Sequence, residues 1–304
     1  MSRPSRRNVL RSAAALGAAA LLPSPAFAIE KVVQKGRIKQ SVCSWCFTNR
    51  GEKWSLDKVC EVAKALGCPS VELIGPSDFP TLKKHGLVCA IASNGMGFTH
   101  GYNNPAHRTE LVEKTKLAID ACAEAGFPTV IGFIGMKWVK PKDPKSGEIS
   151  LDDAWKNCIV GIKEVIGHAE KKNVNLCIEH LNSRDGSDPM KGHPGYQGDD
   201  LDWVTKLLRS VGSPRLKLLF DIYHVQIMHG DLIRRLDECK DVIGHIHTAG
   251  NPGRGELDEA QEIHYPAVMK KIVDLGYTGY VGQEFIPTRD PLAGLTQAVR
   301  VCDV

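Results

Sequence analysis

Residues 216–224 read LKLLFDIYH, a short contiguous apolar run that ends on the carboxylate of Asp221, with the imidazole of His224 three positions further on. A run of that length without polar alternation reads as a strand buried on both faces, the pattern of a parallel sheet covered by helices. The same arrangement recurs on either side of it. VNLCIEH (174–180) reaches Glu179, GHIHT (244–248) carries His247, and YVGQE (280–284) ends on Glu284. Three carboxylates and one imidazole therefore stand at equivalent positions, at or just past the C-terminal ends of successive strands.

The expected strands are Ile38–Cys43, Ser70–Ile74, Val88–Ser93, Thr129–Ile134, Val174–Glu179, Leu216–Asp221, Ile243–Thr248 and Tyr280–Glu284. Between them, apolar residues at helical spacing predict helices over Leu56–Leu66, Leu111–Ala125, Ala154–Ala169, Asp202–Val211, Leu232–Cys239, Pro266–Leu275 and Leu292–Cys302, with a weakly marked one over Phe79–Lys84. Gly67, Gly126 and Gly212 follow three of these as stop signals. Eight strand–helix units without an internal linker predict an α/β fold, a single (β/α)8 barrel over residues 29–304. An open doubly wound sheet usually brings a glycine-rich phosphate loop, and neither GxGxxG nor GxxxxGK[ST] occurs. The polar stretch Gly135–Ser150 reads equally as a lid or as a solvated loop.

Residues 1–28 read as a removable twin-arginine signal. Ser5-Arg6-Arg7-Asn8-Val9-Leu10-Arg11 is followed by the small apolar run Ser12–Leu22 and by Ala26-Phe27-Ala28, a small-x-small cleavage site. The run is too short and too rich in alanine to span a bilayer, so the expectation is export by the twin-arginine machinery, a periplasmic location and a mature protein with no stable membrane span. The chain has 39 basic and 35 acidic residues; removing residues 1–28 takes out four arginines and no acid, which leaves 35 of each. A balanced mature chain without a long basic stripe makes nucleic acid a poor partner. The ten cysteines are scattered through apolar segments and read mainly as buried small hydrophobes. Cys43-Ser-Trp-Cys46 has redox-like spacing, but it is a lone pair outside a thioredoxin-like context, so a disulfide there is the less favoured reading.

Each of the four strand-end residues has a plain structural alternative. Glu179 could cap the following loop, Asp221 could cap a helix, His247 could be a satisfied core histidine, and Glu284 could pair with Arg289. Together they point to an ion, because neighbouring strands lie about 4.8 Å apart and burying unpaired carboxylates at one height is costly. Oxygen-rich ligation with one nitrogen suits Mn²⁺, Mg²⁺, Co²⁺ or Zn²⁺. His224 is placed near that ion, and Arg254, on the turn Asn251-Pro-Gly-Arg254, suits a substrate carboxylate or a developing oxyanion; balancing the site's acids is its alternative role. Glu72, Asn94, His180, Asn182, Arg184 and His193 are weaker candidates for the cavity, and Trp45 and Phe133 for an apolar wall.

The segments IEHLN (178–182), FDIYHVQ (220–226), IGHIH (243–247), NPGR (251–254) and GQE (282–284) resemble the hydroxypyruvate isomerase family, within the wider xylose-isomerase-like TIM-barrel superfamily, over most of residues 38–300. The resemblance implies ketose–aldose isomerisation or ketose epimerisation of a small hydroxycarbonyl compound at a divalent metal. Related 3-epimerases imply the ligand set Glu179, Asp221, His247 and Glu284, substrate-oxygen contacts by His224 and Arg254, and Glu179 and Glu284 as the proton-transfer pair. His247 matches the epimerases, whereas hydroxypyruvate isomerases often carry glutamine there. The family's acid after the alanine of this strand's motif is Gly250 here, which counts against hydroxypyruvate itself. The endonuclease IV branch shares the barrel but would need more histidines and a basic face. The opposing class is a periplasmic binder that holds a sugar or sugar acid without turnover. A homodimer formed through exposed barrel loops is compatible with the chain, with no apolar patch to mark it.

Overall fold

A computed structural model describes residues 29–304; the twin-arginine segment lies outside the described residues. The elements run β1 (Lys39–Cys43), α1 (Ser44–Thr48), α2 (Leu56–Leu66), β2 (Ser70–Glu72), α3 (Phe79–His85), α4 (Arg108–Ala125), β3 (Thr129–Phe133), β4 (Trp138–Lys140), β5 (Asp143–Glu148), α5 (Leu151–Lys172), β6 (Asn175–Glu179), α6 (Leu201–Val211), β7 (Leu216–Asp221), α7 (Ile222–Met228), α8 (Leu232–Cys239), β8 (Ile243–Thr248), α9 (Tyr265–Asp274), β9 (Tyr280–Gln283) and α10 (Pro291–Cys302). Seven parallel strands form one sheet in the order β2-β1-β9-β8-β7-β6-β3, flanked by helices in a TIM-barrel-like α/β fold.

The expected strand Val88–Ser93 forms no strand of its own, only parallel bridges of Val88 to Ser70 and of Ala92 to Val130. Its backbone still reaches both edges of the sheet: Val71 N donates to Val88 O (3.1 Å), Leu73 N to Ile91 O (2.9 Å), and Ile131 N to Ala92 O (2.9 Å). β2 is cut short because Leu73 turns into the left-handed region (φ 57°).

Helix limits follow their caps. Ser55 accepts from Lys58 N at the start of α2, and Gly67 ends it with φ 96°. α5 begins three residues earlier than its apolar spacing indicated, because the Ser150 side chain accepts from Asp153 N. Gly135–Ser150 is more than a bare loop. It contains the antiparallel hairpin β4–β5, whose strands are mostly exposed.

Side chains alternate along each strand. The outward-facing residues join the main core with the helices, while Ile91, Ile131, Cys177 and Leu219 form a separate small apolar cluster. All ten cysteines are buried and free, so Cys43 and Cys46 are not bridged. Among the described residues no helix is long and apolar enough to cross a membrane.

Candidate metal centre

β6, β7, β8 and β9 run parallel and deliver Glu179, Asp221, His247 and Glu284 to one place. One ligand atom from each lies within 4.8 Å of all the others, and all four residues are buried. His247 Nδ1 lies 3.0 Å from Glu284 Oε2 and 3.6 Å from Glu179 Oε1. Asp221 also fulfils its alternative role: Oδ1 caps α7, accepting from Tyr223 N (2.8 Å) and His224 N (3.3 Å). Its other oxygen is left for the cluster. Glu284 pairs with Arg254 (2.8 Å), not with Arg289, and also accepts from Trp45 Nε1 (2.9 Å).

The donor set fits a divalent cation. Glu179 Oε1, Asp221 Oδ2 and His247 Nδ1 are buried without a hydrogen-bond partner, and they converge on one point. Four carboxylates, those of Glu72, Glu179, Asp221 and Glu284, are buried here, against Arg254 as the one buried guanidinium or ammonium among the described residues. Such an excess of negative charge is costly in a low-dielectric interior unless a cation offsets it.

The electrostatics divide the acids. Burial holds Glu179 above the usual carboxylate range, and burial with the neighbouring Glu284 charge pushes Asp221 up to about 7. Burial would raise Glu284 too, but Arg254 and His247 beside it outweigh that and hold it well below the usual range. A cation must displace the protons that Glu179 and Asp221 retain at low pH. His247, which burial alone would lower but the Glu284 charge holds well above the usual imidazole range, must lose a proton too, so affinity for Mn²⁺, measured by calorimetry, is expected to rise with pH through about 7 and beyond, by about tenfold per unit for each proton released.

His224 lies in the same group: its Nε2, which has no hydrogen-bond partner, is 3.5 Å from Asp221 Oδ2. Its Nδ1 receives Asn182 N (3.2 Å), which leaves Nε2 to carry the proton of the neutral ring. Burial keeps that ring neutral, well below its ordinary pKa. Arg254 is fully buried, its guanidinium 5.3 Å from the Trp45 ring and 5.9 Å from that of Tyr223. The turn before it contains a cis Asn251–Pro252 bond, and Arg254 itself is left-handed (φ 56°). Leu73 and Met190, also on the cavity wall, share that unusual conformation, and such residues gather where a site over-determines the backbone.

A cavity of about 220 Å³ opens beside Glu179 and Glu284, walled by Trp45, Leu73, Phe98, Phe133, Leu181 and Met190, with His193 and Arg254 as polar groups. Trp45, Phe133 and His193 thus stand where the sequence placed them. Asn94 does not, because its amide bonds Thr115 and the backbone of Met96. His180 turns to the Asp199 carbonyl and Arg184 to that of Ile227. Asn182 acts on His224 rather than on the cavity. Glu72 lies beneath His247, together with His245 and Cys43, neither of which the sequence marked for the site. Strand alternation, which turns residues 245 and 247 the same way, was the available signal.

Gly250 explains the missing family acid. Its N–H donates to Gly255 O (2.8 Å), and a Cβ there would meet Glu256 O at 2.2 Å. Gly250→Asp is expected to destabilise the turn that presents Arg254, by about 1–3 kcal/mol in chemical denaturation.

The family model of the xylose isomerase-like TIM barrel matches residues 60–303, and the chain belongs to that family. Hydroxypyruvate isomerase of Escherichia coli K12 is 37% identical over 125 residues, which are 41% of this chain and 45% of that protein. The first curated relatives are thus matched over less than half of their length. Among solved structures, a family 2 AP endonuclease from Brucella melitensis superposes with a TM-score of 0.71 at 22% identity, covering 85% of this chain and 97% of that one. The 3-keto-D-glucoside 4-epimerase of E. coli gives 0.68 at 18%, covering 86% and 97%. These two likenesses show the shared fold.

Proposed function

We propose that this protein is a metal-dependent isomerase or epimerase of a small α-hydroxycarbonyl compound, such as hydroxypyruvate or a ketose. The observation that carries this reading is the meeting of two buried acids, Glu179 and Glu284, at one cavity and around one set of unpaired ligand atoms. A cavity of about 220 Å³ is smaller than the roughly 300–1,000 Å³ typical of drug-sized ligands, which favours a small substrate. Glu179, Asp221, His247 and Glu284 would hold the ion, Mn²⁺, Mg²⁺, Co²⁺ or Zn²⁺. When bound, a divalent cation supplies Lewis-acid polarisation of a carbonyl oxygen.

The chain's own groups then divide the remaining work. Glu179, with one carboxylate oxygen toward the ion, takes the proton from the carbon beside the carbonyl with the other. Glu284, fixed by Arg254 and Trp45, takes up a proton from solvent and returns it to the adjacent carbon or the opposite face, while Glu179 gives its own proton to solvent. His224 offers its Nε2 proton to the oxygen that gains charge, and Arg254 adds its positive field. One proton leaves carbon and one returns, so no oxidant or reductant is required.

This reading extends to the whole chain. Counting residues 88–93 as the eighth strand completes a (β/α)8 barrel over 29–304, and residues 1–28 export it to the periplasm through the twin-arginine machinery. The balanced charge of the mature chain speaks against nucleic acid as a partner, and a homodimer is its proposed association. The test is incubation of metal-loaded protein with hydroxypyruvate and small ketoses in deuterated water. Deuterium should enter at the carbon next to the carbonyl. Saturable binding with no exchange across the panel would instead support a sugar or sugar-acid binder.

A further inference from the structure

Beneath the candidate metal centre lies a second cluster of potential ligands, Cys43, Glu72 and His247, with His245 beside them. We propose that this cluster is not a second metal site, and that Glu72 is the positioning residue that sets the tautomer and orientation of His247 for the ion above. The inference rests on the metal-centre reading and assigns its support from below.

The two clusters differ in how their polar atoms are satisfied. Above, the ligand atoms of Glu179, Asp221 and His247 have no partners. Below, one oxygen, Glu72 Oε1, is already the hub: His247 Nε2 lies 2.8 Å from it, His245 Nε2 3.0 Å and Cys43 Sγ 3.2 Å. Those donors are thus already satisfied by that oxygen without an ion. The Cys43 sulfur is 3.9 Å from His247 Nε2, with Glu72 as their common neighbour. Glu72 Oε2 is buried without a hydrogen-bond partner.

A carboxylate accepts only, so its contact with His247 Nε2 places the ring proton on that nitrogen. With an ion bound, Nδ1 would then be the lone-pair atom, and it is the nitrogen that faces Glu179 and Glu284. A carboxylate on the far nitrogen both fixes the ring plane and raises the basicity of the ligating one. The backbone is shaped for this contact. A Cβ on Gly282 would fall 2.1 Å from Glu72 Oε1 and 2.9 Å from His247 Cδ2, so no residue larger than glycine lets the two groups meet. Glu72 and His245 come from β2 and β8 and are 173 positions apart in sequence, which requires the barrel to bring them together.

The test compares wild type, Glu72→Gln and Cys43→Ser. Metal content and Mn²⁺ affinity are measured for each, together with ¹⁵N-histidine NMR of the Zn²⁺-loaded proteins. Wild type should hold one ion per chain. Glu72→Gln, close in shape, should weaken Mn²⁺ binding by about 10–100-fold and move the His247 Nε2 proton resonance upfield, with faster solvent exchange. Cys43→Ser keeps a donor to Glu72 while removing a soft ligand, and should bind as wild type does. Two ions in wild type, with one lost in both variants, would overturn the proposal in favour of a second metal site. One ion in wild type with affinity and resonance unchanged in Glu72→Gln would overturn it too. A wild type that holds no ion would remove the metal-centre reading itself and this proposal with it.

Discussion

Glu179→Gln is expected to lower solvent exchange of the substrate's α-proton by about 10²–10⁴-fold, the range for loss of a positioned general base. Glutamine keeps the shape and the ability to ligate through oxygen, but it cannot take a proton. The folded protein should tolerate it, because Glu179 Oε1 makes no hydrogen bond that the amide would break. Glu284→Gln is expected to differ in kind. It would also lose exchange, but it leaves Arg254 buried beside a neutral amide, and removing one partner of a buried ion pair costs about 3–5 kcal/mol. Thermal melts separate the two cases: Tm close to wild type for Glu179→Gln and a clear fall for Glu284→Gln. Full exchange in both variants would take these residues out of the proposed chemistry.

Stripping the protein with a chelator should lower Tm, and returning Mn²⁺ should restore it. A ligand at a hundredfold excess over its Kd adds about 2.7 kcal/mol, provided it binds only the folded state. At about 2–4 °C per kcal/mol for a chain of this size, the shift is about 5–10 °C. Asp221→Asn should abolish the shift without removing the cap on α7, since asparagine is as good an N-cap as aspartate and the free oxygen of Asp221 is the one lost to the ion. A metal-induced shift that survives Asp221→Asn would place the ion elsewhere.

The strands that carry the site were legible because each is a buried parallel run that stops on an ionisable residue. Leu216–Asp221 and Ile243–Thr248 were read with the limits the structure gives them. Periodicity could not reveal α7, a seven-residue helix that starts immediately at the strand end and is nucleated by the Asp221 cap. The β4–β5 hairpin was hidden for another reason. Its strands are polar and mostly exposed, held by backbone pairing and by Lys137–Glu148 across it (2.8 Å), with no apolar alternation to read. Val88–Ser93 shows the opposite failure, an apolar run typical of a strand that keeps contact with both neighbours through only a few backbone bonds. In the site, the residues on strand ends were found, and of the three behind them only Glu72 was, as a weaker candidate. His245 and Cys43 gain meaning only once the barrel turns them toward Glu72, a contact between distant segments that no local pattern encodes.

The account turns on a single ion seated between two opposed acids. The most direct measurement is a crystal of the protein with Mn²⁺, with the metal located by its anomalous signal. The expected map has one peak, within bonding distance of Glu179, Asp221, His247 and Glu284 and open to the cavity beside Trp45. No peak there, or a peak enclosed by Cys43, Glu72 and His245, would contradict it.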